Sequence, residues 1–353
     1  MKILYRYLYK KLTIYLLIII PSFSIVAILV ELIELLRKAK NLDFSAIALY
    51  TLYQLPEKIY YILPISVVIA FFLLAKDLIN RREIYPILLN GISLKKLGTI
   101  IFIFPVLLSF VQLANLEFVM PKAKMKAQEV YLFLKNRPQN EPLIAYNSWV
   151  TIDKRTFMYF GFLDLRKKVG KNIVIIKFNK DFDPVLRIEG SNFNVEEKVK
   201  IKNAKIIDLK SFTDFTIKKF PEYSYDKKLD LNSFKKLIKI KKPVSIRQYY
   251  KVAKIAEKFG HPASLYWSKF YSKLATVVSP FILGFVVYPL LWSRKKYVIG
   301  VIAGLIVVYW YATAFLTSIA STNVIPFYAI FSVDIVYLVI GALLFKKLKF
   351  SEL

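Results

Sequence analysis

The only histidine in the 353 residues is His261, which stands before Pro262, and there is no cysteine. Disulfides, thiolate metal sites and cysteine nucleophiles are therefore excluded. No carboxylate pair, His/carboxylate metal cluster or nucleophile motif has a setting that would make it a catalytic site. No G-x-x-x-x-G-K-[ST] loop occurs, and the nearest glycines, Gly91 and Gly98, have the wrong surroundings for one. The chain thus presents no catalytic residue, metal set or cofactor site of its own. If it does work, the fuel is handled by another protein or is an ion gradient.

What remains are charged groups in unusual places. Asp334 lies inside an apolar run. Ionisable groups at depth in a bilayer are costly and often functional. A lone acid there suits a proton relay, or a hydrogen bond from a Tyr or Ser of a neighbouring helix, and the second is preferred. Glu31, Glu34 and Glu117, with Gln112 and Asn115, fall near the ends of apolar runs, where an interfacial position suffices. Arg37, Lys38 and Lys40 follow the first apolar run. They suit an anionic headgroup or phosphorylated ligand, or they cap a helix C-terminus through its dipole. Taken alone, the cap is the better explanation.

The stretch RREIYPILLNGISLKK (81–96) is the third such place. Ile84, Ile87 and Leu88 share one helical face. Pro86 is tolerable only in a first turn, and Gly91 closes the helix. Such a segment is either an interfacial anchor on the lipid surface or a helix that docks into a groove on a partner. The pattern leaves both open.

The elements that position these groups follow from hydropathy. The chain is 56% hydrophobic and carries a formal net charge of +29. That combination indicates a membrane protein with basic loops and argues against a nucleic-acid partner. A span needs roughly 20 apolar residues. Six segments meet or approach this: Leu12 to Val30 (helical to Leu36), Ile59 to Ala75, Leu97 to Leu116, Leu274 to Ser293, Tyr297 to Ala320 and Phe327 to Phe345. STNVIP (321–326) splits the last two. The first run has no signal-peptide cleavage site and reads as a retained span.

Between spans three and four the character changes. NIVIIKFN (172–179), KVKIKNAKIIDL (198–209) and FTDFTIKKF (212–220) read as short strands. They predict a sandwich or jelly-roll-like domain. SIRQYYKVAKIAEKFG (245–260) has helical spacing and a C-cap at Gly260. The predicted organisation is spans one to three over 1–120, a β domain over 121–245, and a connecting helix with spans four to six over 246–353. Lys and Arg in the short loops place both termini in the cytoplasm, with the β domain outside. Loop 81–96 is then cytoplasmic. Arg37, Lys38 and Lys40 lie outside, against the trend.

This layout resembles the lipopolysaccharide export permeases LptF and LptG over nearly the whole chain. RYLYKK (6–11), QLPEKIYYILP (54–64), EIYPILLNGIS (83–93), ANLEFVMP (114–121) and YWSKFYSKLATVVSP (266–280) are similar to family motifs in order and spacing. The resemblance implies a heterodimer of two sister permeases in the bacterial inner membrane. It also implies a separate ATPase dimer of LptB type, which binds the ATP and Mg²⁺, and a periplasmic bridge of LptC/LptA type. Together they would extract lipopolysaccharide from the outer leaflet. Glu83, Ile84, Ile87, Leu88 and Gly91 would form the coupling helix, with Glu83 facing the ATPase groove. Arg37 and Lys38, with Lys40, would contact lipid phosphates, which favours an LptG-like member. The chain departs from the family at Leu88, where an Arg is common, at Pro86, and at Glu31, where a basic residue is usual. Two other function classes stand beside this one: an ion-coupled secondary transporter centred on Asp334, and a non-transporting envelope scaffold or sensor.

Overall fold

The computed structural model describes residues 2–38, 43–135, 144–165, 167–195, 198–209, 215–226, 243–258, 261–292 and 297–348. Lys40, Gly260, Arg294, Lys295, Lys296 and Lys349 lie outside the described residues. The chain divides into two units. One comprises 1–139, 244–249 and 264–353, and the other 140–243 and 250–263.

The first unit is helical. It contains α1 (Lys2–Lys38), α2 (Phe44–Asn80), α3 (Ile84–Leu89), α4 (Leu94–Ala114) and α5 (Met120–Leu134). After the sheet come the start of α6 (Ile246–Lys258), then α7 (Ser264–Leu290), α8 (Val298–Ser321) and α9 (Ser332–Lys347). Among the described residues, six helices are long and apolar enough to cross a membrane, the third being Leu94–Leu134 and the sixth Phe327–Lys347. The helices run beyond the apolar segments because polar turns at their ends still satisfy the backbone internally.

The third helix differs most from expectation. A π-helical turn, Asn115–Val119, joins α4 to α5, and the helix ends only at Leu134. The sheet unit therefore opens at 140, not at 121. Pro121 closely follows that π-helical turn, a local irregularity of the kind that accommodates a proline within a longer helix. Ala127 and Leu134 of α5 pack with Leu35, Ala46 and Tyr50, so the added length is held by α1 and α2.

Two buried clusters organise the bundle. One joins Leu8, Leu12, Phe71, Leu74, Leu78, Leu97 and Ile101 to Tyr288 of α7 and to Trp292 just beyond its end. The other joins Leu283, Val286, Ile302, Tyr309, Val333 and Tyr337 across α7, α8 and α9. α7 contributes to both, so it is the shared wall between the two triplets of spans.

Prolines inside the spans free carbonyls that lipid cannot satisfy. Pro64 has no N–H to give the Tyr60 carbonyl. The Gln112 side chain of α4 donates to that carbonyl instead, at 3.0 Å. Pro280 leaves the Thr276 carbonyl, and the Ser279 hydroxyl donates to it at 2.7 Å. These contacts give Gln112 a structural task.

The second unit is a six-stranded antiparallel sheet in sequence order. Its strands are β1 (Ile144–Asp153), β2 (Thr156–Asp164), β3 (Val169–Phe178), β4 (Pro184–Val195), β5 (Val199–Leu209) and β6 (Phe215–Tyr225). It is consistent with a jelly-roll-like inserted domain. Alternate residues such as Val150, Met158, Phe160, Ile173, Ile175, Ile188, Phe193 and Ile201 bury one face. Ile255 of α6 packs against that cluster. β3, β5 and β6 are legible in sequence. β1 and β4 are less so, since Asn147, Ser148, Gly190, Asn192 and Asn194 imitate turn residues. Phe215 to Phe220 of β6 are exposed.

Candidate functional site

The site begins with a local problem, since six residues are too few to hold a helix in water. α3 is stable because both ends and one face are fixed. Arg82 takes a positive φ of 58° and turns the chain out of α2. At the other end, Gly91 N–H donates to Leu88 O at 2.9 Å and Ile92 N–H to Ile87 O at 3.3 Å. Gly91 has φ +77°, so this is a Schellman stop that needs the left-handed conformation glycine supplies. Ser93 then caps α4 by accepting from Lys96 N–H. Pro86 falls in the first turn, as the sequence requires.

The apolar face turns inward. Ile84 is 1% exposed, and Ile87 and Leu88 are half-buried against the same cluster as Leu4, Leu8 and Leu78. What α3 presents outward is Arg82, Tyr85, Pro86, Leu89 and Asn90. Tyr85 is 42% and Leu89 88% exposed. The sequence pattern does not single out these two, because they lie off the Ile84/Ile87/Leu88 stripe.

Glu83 also turns inward. Its carboxylate accepts from Tyr7 Oη at 2.6 Å and pairs with Lys11 Nζ at 3.0 Å. Burial pushes the Glu83 carboxyl up, but those two partners outweigh it and hold the group below the usual range. Lys11 also meets Asp77 of α2 at 2.6 Å. Asp77 in turn accepts from Tyr15 at 2.9 Å and from Arg81 at 2.6 Å. The result is a partly buried polar cluster linking α1, α2 and the cap of α3.

Of the three basic residues after span one, Arg37 is exposed near the end of α1 and Lys38 is its last residue. Lys40 lies outside the described residues. Other charges gather toward the same end of the spans. Lys58 pairs with Glu31, which also accepts from Tyr50, and Lys124 pairs with Glu57. The ammonium group of Lys273 sits over the rings of Tyr60 and Tyr61, 4.5 and 5.0 Å from their centroids, and donates to Tyr61 Oη. Cation–π contact lets a lysine approach an apolar helix face. The basic residues of QLPEKIYYILP and YWSKFYSK are the sequence signal for these contacts, but their partners cannot be read from spacing.

Glu117 has a defined partner: it accepts from Arg247 N–H at 3.2 Å, in the first turn of α6. Ser245 and Gln248 form a reciprocal capping box at the same turn. Asn115 donates to Pro56 O at 2.8 Å. Asp334 is 5% exposed and accepts a hydrogen bond from Tyr309 of α8 at 2.7 Å. Its setting is the tyrosine pairing preferred from sequence. Among the described residues, no group of three or more His, Cys, Asp or Glu forms a metal site.

No curated protein matches the chain. The family model for the lipopolysaccharide export system permease LptF/LptG matches residues 6–347. Six membrane-capable helices with a sheet unit inserted after the third accord with that match, and the chain belongs to the LptF/LptG family of lipopolysaccharide export permeases.

Proposed function

We propose that the chain is the permease subunit of an ATP-driven exporter. It takes lipopolysaccharide out of the inner membrane and passes it toward the outer membrane. ATP and Mg²⁺ are bound by a separate cytoplasmic ATPase dimer of LptB type. A sister permease completes the lipid cavity, and a bridge of LptC/LptA type receives the lipid from the sheet domain. Both termini and α3 lie in the cytoplasm, and the sheet domain lies in the periplasm. Arg37, Lys38 and Lys40 meet the lipid phosphates, as in an LptG-like member.

The observation that carries this reading is α3. A six-residue helix is locked at both ends and anchored by Ile84, yet it leaves Leu89 and Tyr85 uncovered. An interfacial anchor would use its largest apolar stripe for lipid, whereas this one spends the stripe on its own core. The physical need is clear as well. Each buried CH₂ holds an acyl chain by about 0.8 kcal/mol, so extraction of a multi-acyl lipid requires external work. The test is co-purification of a nucleotide-binding ATPase with the solubilised chain, wild type against Leu89→Glu. The wild type retains the ATPase and the variant loses it. A wild type that retains none in mild detergent overturns the reading.

A further inference from the structure

We infer that Lys11 is a positioning residue that ties α3 to span one, so that a displacement of α3 is delivered first to α1 together with α2. The inference rests on the reading of α3 as the contact for the ATPase.

Tyr7, Lys11 and Tyr15 are spaced by four and line one face of α1. That face meets the end of α2 and the cap of α3. Lys11 bridges Asp77 and Glu83, Tyr7 donates to Glu83, and Tyr15 donates to Asp77. With Arg81 on Asp77, two cations and two carboxylates balance. The Lys11 side chain is only 13% exposed. Apolar packing of Ile84, Ile87 and Leu88 holds α3 down but has no direction. The charge-assisted bonds to its cap are directional and fix which element it moves with.

The other side of α3 is different. α4 follows α3 after a short turn, but its first turns are fixed elsewhere. Tyr288 Oη of α7 donates to Leu94 O at 2.7 Å, and Lys95 Nζ donates to Lys346 O at 2.9 Å. Gly98 lies directly against the rings of Tyr288 and Phe345. The start of α4 is therefore held to α7 and α9, and only further along does it meet α1, where Tyr9 Oη donates to Ile100 O at 2.7 Å. α1 is the span least covered by the rest of the unit, with Leu17, Ile18, Ile25, Val26, Leu29 and Ile33 exposed along it. A pull on α3 finds in α1 an element that is bonded to it and only lightly packed by the rest of its own chain.

The test uses the full chain with its sister permease and the ATPase in proteoliposomes containing lipopolysaccharide. Lys11→Met retains the ATPase and hydrolyses ATP within about twofold of wild type, while lipid released per ATP falls by about tenfold. Lys11→Arg, which keeps the charge, restores release to within about threefold. Release and hydrolysis that fall in proportion overturn the inference, because Lys11 then only maintains the fold. An unchanged ratio of lipid to ATP overturns it as well.

A second measurement needs no ATPase. The chain has no cysteine, so spin labels at Ile3→Cys and Leu89→Cys report the distance from α1 to α3 without background. Both positions are exposed. The distribution is narrow in wild type and Lys11→Arg and broad in Lys11→Met. An equally narrow distribution in Lys11→Met overturns the linkage even where the ATPase is retained. Absence of the ATPase with a broadened Lys11→Met distribution overturns the exporter reading and leaves the α1–α3 tie standing.

Discussion

Gln112 should be needed only because residue 64 is a proline. In α2 the Tyr60 carbonyl would ordinarily accept from the N–H of residue 64, and Pro64 has none. Gln112 of α4 supplies the donor at 3.0 Å. Gln112→Leu leaves a buried acceptor unpaired, which costs about 1–3 kcal/mol in proteins generally. Cycles within membranes give about 0.6 on average and about 1.7 at most. The variant also removes the Gln112 Oε1 atom, which has no partner among the described residues, and this offsets part of the loss. The net expectation is about 1 kcal/mol. Pro64→Ala restores an N–H to the ladder, so in that background Gln112→Leu should cost about 0.3 kcal/mol or less. Unfolding in mixed detergent micelles, followed by tryptophan fluorescence, measures all four corners. For a unit of this size, about 1 kcal/mol corresponds to a Tm shift of about 2 °C. If Gln112→Leu costs the same in the Pro64→Ala background as in the wild type, the proline-freed carbonyl is not what Gln112 serves, and the reasoning fails.

Tyr309→Phe removes the donor to the buried Asp334 carboxyl and should destabilise the α8–α9 pair by about 1–3 kcal/mol; thermal unfolding in detergent measures the loss. Asp334→Asn keeps an acceptor for Tyr309, so folding and lipid release should stay within about twofold of wild type; abolished release from a folded variant would instead support an ion-coupled transporter. Gly91→Ala meets no steric obstacle, but it must hold φ +77°, a strain of about 1 kcal/mol, and ATPase retention should weaken as the end of α3 frays. Glu83 faces Tyr7 and Lys11, with Asp77 nearby. Because Tyr7 and Lys11 outweigh burial and the Asp77 charge and hold its folded-state pKa below the usual value, its contribution is complete above the ordinary carboxylate range and is lost as pH falls through the depressed value. The α1–α3 label distance should therefore be unchanged from about pH 7 to about pH 5 and broaden only in stronger acid.

The match between sequence and structure is uneven for identifiable reasons. The spans are legible because lipid imposes one solution, a run of apolar residues whose backbone bonds close within the segment. α3 is legible too, because its signals are local: a proline in the first turn, a three-residue apolar stripe and a glycine stop all act within a few residues. α5 escapes a hydropathy reading because MPKAKMKAQEVYLFL is too polar for a span, and its helical state depends on packing against α1 and α2. β1 and β4 escape it because their asparagines and glycine suit turns equally well, and only neighbouring strands commit them to a sheet.

Direction and partnership belong to the tertiary structure. The stripe of Ile84, Ile87 and Leu88 is visible in the chain, but whether it faces a partner or the protein's own core is not. Periodicity gives a face and no orientation. Glu83 reads as an exposed acid because its partner, Lys11, lies 72 positions away. Gln112 reads as a polar intrusion because the carbonyl it serves is 52 positions away. What each segment can become is legible along the chain, since hydrogen bonding and hydropathy act over a few residues. Which charge meets which, and which face of α3 stays exposed, were settled in the packed bundle, since those depend on residues brought together by folding.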